Sequence, residues 1–144
     1  MEIKQSNQTS SAVYADAIMI RKAVFIKEQG IDPNLELDTV TPATWHYVLY
    51  DDQGHAVATA RITPNDATTG HIQRVATLKS ARGHGYAGAL IKQMIRNAKA
   101  QGYHQLELGA QVTAQQFYAH LGFKAVGPIF MEAGLKHQAM KYML

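Results

Sequence analysis

Apolar residues recur at helical spacing from Ala12 to Gln29, where Val13, Ala17, Ile20, Val24 and Phe25 mark one face. Gly30 stops that helix, and Ile31-Asp32-Pro33-Asn34 is turn chemistry. Leu35 to Ala43 is polar, contains Pro42, and reads as an ordered loop. Trp45–Tyr50 and Ala56–Ile62 are β-prone runs joined by Asp51-Asp52-Gln53-Gly54, which predicts an antiparallel hairpin. A loop from Pro64 to Gly70 leads into a third run, Ile72–Leu78. Helical spacing returns from Ala87 to Ala100, on Ala89, Leu90, Met94, Ile95 and Ala98, and Gln101-Gly102 ends it. Gln105–Leu108 then reads as a strand parallel to the one before the helix. Thr113–Leu121 is a short helix closed by Gly122, with Phe117 and Leu121 as its core-facing pair and Tyr118 toward a flank. Phe123–Val126 and Gln138–Met143 complete a sheet to which residues 1–5 add an edge strand. This order predicts one α+β layered domain over residues 1–144, a mixed sheet with a single parallel crossover.

Composition narrows the class. The 144 residues are 47% hydrophobic and 17% charged, as in a globular protein. Cysteine is absent, which excludes disulfides and thiolate metal sites and fits a reducing, cytoplasmic setting. No stretch has the length of a membrane span, and the N-terminus lacks a signal-peptide core. The net charge of +3 is spread over scattered lysines and arginines, so no nucleic-acid partner is expected. No histidine pair has metal-ligand spacing, and no metal is implied.

The chemistry concentrates in Arg82-Gly83-His84-Gly85-Tyr86-Ala87-Gly88, between a strand and a helix. Glycines there let the backbone approach a ligand, while the helix's unpaired first amides and dipole favour an anion. Amides of Gly83 to Gly88 can wrap a pyrophosphate, with Arg82 and Lys79 adding charge. The segment also fits G-x-G-x-x-G, with Glu107 near the position of a ribose-binding acid, so a dinucleotide fold competes. Against it, four residues separate the strand from the first glycine, and only one strand–helix–strand unit is visible.

Parsed as Arg82-x-x-Gly85-x-Ala87, the same turn resembles the GNAT superfamily of acetyl-CoA-dependent N-acetyltransferases. Gln116-Phe117-Tyr118-Ala119-His120-Leu121-Gly122-Phe123 resembles that superfamily's "FYxxLGF" segment. Val24-Phe25-Ile26-Lys27-Glu28-Gln29-Gly30, Leu108-Gly109-Ala110-Gln111 and Phe130–His137 resemble segments of its ElaA-like branch, so the likeness runs over nearly the whole chain. Lys136 stands where that branch commonly carries proline.

The resemblance implies a mostly antiparallel central sheet flanked by helices, and acetyl-CoA as co-substrate. Val75, Ala76 and Thr77 would line the pantetheine arm, with an amide near Ala76 polarising the thioester carbonyl. Tyr118 is the expected general acid, protonating or hydrogen-bonding the leaving thiolate. Gln111 is expected either to contact pantetheine or substrate, or to cap the following helix. Proton acceptors come from Glu28, His46, His71, Glu107, Glu132 and His137, with Glu28 and His137 favoured for their place in branch-specific segments. Arg74 points toward the acceptor or a buried acid, or else makes a surface ion pair. The acceptor is a primary amine, small molecule or peptide, whose identity the sequence leaves open, and a homodimer through the last strands is expected. The alternative is the same fold kept as a non-catalytic acyl-CoA-binding module.

Overall fold

A computed structural model describes residues 1–144. Its seven strands form one sheet in the order β1-β2-β3-β4-β5-β7-β6. The strands are β1 (Glu2–Ser6), β2 (Trp45–Tyr50), β3 (Ala56–Pro64), β4 (Thr69–Thr77), β5 (Gln105–Gln111), β6 (Lys124–Glu132) and β7 (Leu135–Met143). All neighbours are antiparallel except β4 and β5. That parallel pair needs a crossover, which α3 (Tyr86–Ala100) supplies. The parallel register and the N-terminal edge strand therefore match the sequence expectations.

The helices divide between two faces. Helix α1 (Ala12–Arg21) packs Ala17 and Ile20 on the face carrying Val48 and Ala76. It covers β1 to β4 and leaves that face of β5, β7 and β6 uncovered. On the opposite face α3 and α4 (Gln115–His120) close the larger core, in which Leu90, Ile91 and Met94 meet Ile72, Leu106 and Met140. The result is the three-layer arrangement expected, with a groove where the first layer stops short.

Three local outcomes differ from the sequence reading. The helix from Ala12 does not stay α-helical to Gln29: Lys22–Glu28 is a π-helix, and the Gln29 N–H reaches back five residues to the Val24 carbonyl. The turn after Gly30 contains a helical turn, α2 (Pro33–Glu36), started by Pro33 and capped by Asp32, whose Oδ1 accepts from the Asn34 N–H at 2.9 Å. In α4, Tyr118 is the buried residue and Phe117 and Leu121 are half-buried, the reverse of the expected orientation. The first part of that segment, Val112–Ala114, is a 3-10 turn, which rotates the following short helix and sets Tyr118 between Phe117 and Phe123.

The feature that makes the site is a bulge in β4. Thr59 pairs with Ala76 and Arg61 with Gln73, so Arg74 and Val75 together oppose Ala60. Arg74 has φ of 58°, left-handed for a side chain that disfavours it. β4 and β5 pair only as far as Ile72 and Leu108. From there, through the bulge, the two parallel strands diverge, and β4 offers an edge unpaired with β5 from Gln73 to Thr77.

Candidate active site

The glycine turn leaves free backbone amides at the start of α3. Gly83 and Gly85 have φ of 86° and 75°, and a Cβ at either position would meet no protein atom within 4 Å. Glycine is thus required for backbone conformation, and the space in front of it is open. Gly85 is the N-cap of α3 and gives no side-chain cap. The first added helical bond runs from the Ala89 N–H to the Gly85 carbonyl, which leaves the N–H groups of Tyr86, Ala87 and Gly88 without helical partners. His84 stacks on Tyr86 with ring centres 5.4 Å apart.

Arg82 is held on three sides. Its Nε donates to the Thr77 carbonyl at 3.2 Å, and its two terminal nitrogens donate to the two Glu28 oxygens, each at 2.6 Å. This bidentate bond is the main cause holding the Glu28 carboxyl below the usual carboxylate range.

A cavity of about 1010 Å³ runs from this turn through the splay and onto the uncovered face. Val75, Ala76 and Thr77 form one wall, Gly109, Ala110 and Gln111 the other, and Tyr118 lies at its side. Burial alone pushes the Tyr118 phenol up from its ordinary value, so it carries its proton throughout the neutral range. No charge or hydrogen bond within the protein contributes to that shift.

The far side of the splay collects polar groups on the face that α1 leaves free. His137 is buried, its Nδ1 2.9 Å from the Leu135 carbonyl, which can only accept, and its Nε2 3.8 Å from Glu132 Oε2. Phe130 stacks on His137 at 5.6 Å. The same ring lies over Gly109, where a Cβ would come within 3.1 Å of it. Across the parallel pair, His71 Nδ1 stands 3.5 Å from Glu107 Oε1, and Asn65 donates to the same carboxylate. Gln111 donates to Gln29 Oε1 at 2.9 Å instead of capping the turn it precedes.

A buried ion network supports the bulge. Arg21, 2% exposed, donates from Nε to Glu36 at 2.5 Å and from its terminal nitrogen to the Glu36 carbonyl. Arg74 Nε lies 2.7 Å from the other Glu36 oxygen, and Arg61 grips Asp38 with both terminal nitrogens at 2.8 and 2.7 Å. Arg61 is the leading cause pushing the Asp38 carboxyl down to about 2. Of the roles open to Arg74 on sequence, the structure selects the buried acid. Glu36 and Asp38, acids of the polar stretch after the first helix, anchor that loop to the sheet.

The structure thus brings Tyr118, Glu28, His137, Val75, Ala76, Thr77, Arg82, Ala87 and Gln111 onto one cavity, along with His71, Glu107 and Glu132. Gly85 and Gly88 open onto the adjoining outer surface of α3. His46 is left out: it is packed against Tyr14 beneath α1. Gln29 and Phe130 were not singled out as site residues on sequence. The pattern around them was visible, but nothing local indicated that Gln29 spans to β5 or that Phe130 covers Gly109.

Residues 23–144 match the family model of the acetyltransferase (GNAT) domain. The uncharacterized N-acetyltransferase YjcF of Bacillus subtilis (strain 168) is 32% identical over 126 residues, covering 87% of this chain and 89% of its own. A candidate N-acetyltransferase from Lactobacillus plantarum superposes with a TM-score of 0.91 at 30% identity, over 99% of this chain and 97% of that one. Escherichia coli ElaA shares the fold at a TM-score of 0.83 and 24% identity, over 98% and 99% of the two chains.

Proposed function

Since the chain belongs to the acetyltransferase (GNAT) family, we propose how its own residues perform acetyl transfer from acetyl-CoA to a primary amine. The observation that carries the reading is one cavity that reaches the glycine turn at Arg82 and Ala87, runs through the β4–β5 splay and opens on the uncovered face. A pyrophosphate is held by the free amides of Tyr86, Ala87 and Gly88, with Gly83, His84 and Gly85 shaping the turn and Arg82 beside it. The pantetheine arm lies along the unpaired edge of Val75, Ala76 and Thr77, pairing as an added strand does, and Gln111 faces it from β5. The thioester then sits at the vertex of the splay, within the reach of Tyr118 on one side and of His137 on the other.

The chemistry divides between the two faces. The amine enters over the groove that α1 leaves open, and Nε2 of His137 takes its proton. The nitrogen attacks the carbonyl carbon, the C–S bond breaks, and the sulfur leaves as a thiolate. Tyr118 meets that thiolate. Its phenol is raised by burial, whereas a free thiol titrates near 8.5, so complete proton transfer from Tyr118 is uphill. Tyr118 therefore acts chiefly as a hydrogen-bond donor to the developing charge. The nitrogen sheds a second proton as the tetrahedral intermediate collapses to the amide; that proton balances the one that ends on sulfur, and the first leaves His137 for solvent. Glu28 is a poor proton acceptor because its carboxylate is occupied by Arg82 and held ionised. Positioning of two substrates and electrostatic contact at the carbonyl supply most of the acceleration.

The test is thiol release from acetyl-CoA over a panel of primary amines, alongside calorimetry with CoA. Amine-dependent release that falls in His137→Gln supports the scheme. Binding of CoA with no release on any amine supports the non-catalytic module, and absence of CoA binding removes both.

A further inference from the structure

The end of the π-helix bridges the two strands that the bulge has pulled apart. β4 and β5 last pair at Ile72 and Leu108. Further along, Glu28 binds Arg82, which also holds the Thr77 carbonyl at the end of β4. The next residue, Gln29, accepts from Gln111 at the end of β5. Two consecutive side chains thus tie the end of the π-helix to both sides of the splay, and all four side chains line the same cavity. Gly30, with φ of 71°, turns the chain away immediately afterwards. π-helical turns are rare and concentrate at functional sites, which agrees with a segment shaped for such a span.

We propose that Glu28 and Gln29 form a clasp across the splayed strands, in which Glu28 is a positioning residue that aims Arg82 at the pyrophosphate turn. This rests on the reading that acetyl-CoA occupies the cavity. Arg82 is 42% exposed, and a guanidinium that exposed is mobile unless tied. The Thr77 carbonyl and the two Glu28 oxygens engage three of its five N–H groups and fix its plane, which leaves two donors free for a ligand. Preorganisation of this kind lowers the ordering cost of binding. Glu28 also offsets the Arg82 charge, so the turn attracts phosphate through its amides and Lys79 while Arg82 contributes direction.

The role differs from proton acceptance in a measurable way. Calorimetry of full-length wild type, Glu28→Gln, Arg82→Gln and the double variant with CoA requires no acceptor amine. Glu28→Gln is expected to weaken CoA binding about tenfold, the scale of one charge-assisted contact. The double variant is expected to bind no more weakly than Arg82→Gln alone, because Glu28 acts through Arg82. Thermal melts confirm that each variant is folded. Wild-type affinity in Glu28→Gln, tighter binding in that variant, or losses that multiply in the double variant each overturn the proposal. A wild-type protein that binds no CoA overturns the acetyl-CoA reading itself and this proposal with it.

Discussion

Replacing Tyr118 by phenylalanine separates stability from catalysis. The ring is 6% exposed and is wedged between Phe117 at 4.9 Å and Phe123 at 5.8 Å, contacts that phenylalanine keeps in full. The hydroxyl reaches the cavity without a protein hydrogen bond, so its removal leaves no group unpaired. A polar group buried without a partner costs about 1–3 kcal/mol. Deleting one that faces a partly wet cavity is therefore neutral, or stabilising by about 1 kcal/mol at most. For a chain of this length that corresponds to a melting temperature unchanged or raised by about 3 °C. Turnover has a different ledger. In the proposed mechanism the lost hydrogen bond is one made only as the thiolate develops, and loss of such a donor is expected to lower turnover by about 10²–10³. CoA affinity is unaffected, since the phenol does not touch the pyrophosphate turn. The assays are thermal melting, CoA calorimetry, and thiol release at saturating acetyl-CoA with an amine that the wild type accepts. Turnover within a factor of about two of wild type, with folding intact, would refute the assignment. A drop in melting temperature beyond about 5 °C would instead show that the hydroxyl has a structural partner.

Other perturbations test the scaffold. Burial, followed by the nearby Arg61 and Arg21, pushes His46 down to about 4, while the unfolded chain binds that proton near 6.5. Neutral His46 thus contributes its full stability above pH 6.5 and loses it as pH falls toward 4, a change of about 3 kcal/mol at most. His46→Gln should flatten the melting curve in that window, and superimposable pH profiles for the two proteins would refute the assignment. Glu36→Gln removes the carboxylate shared by Arg21 and Arg74 and leaves Asp38, 3.5 Å from Arg21, as the remaining counter-charge. It should cost about 3 kcal/mol by urea denaturation, the low end for a broken buried pair, a loss under 1 kcal/mol being the contrary result. Gly85→Ala strains a left-handed residue by about 1–2 kcal/mol and puts a methyl in the open space before the α3 amides. It should weaken CoA binding, whereas unchanged affinity would place the pyrophosphate elsewhere.

What the chain determined locally is what local physics can encode. Local patterning marked runs for all seven strands and the two long helices, because side-chain direction alternates or rotates with the backbone. The glycines at 83 and 85 announced the anion turn, since only they take φ near 80° without cost. The segments around Arg82, Tyr118 and His137 carried the family. Tertiary structure decided the rest, through contacts between residues far apart in sequence. Glu28 read as a free carboxylate until Arg82, 54 positions away, was seen to hold it. Nothing in the loop's own sequence tells that three arginines from α1, β3 and β4 surround Asp38 and Glu36. The bulge at Arg74 has no signature in an arginine, a residue that disfavours φ of 58°, and it stands because that network grips its side chain. The parting of β4 from β5 after Ile72 and Leu108 likewise belongs to the sheet as a whole, because no local pattern in either strand encodes where its partner stops pairing.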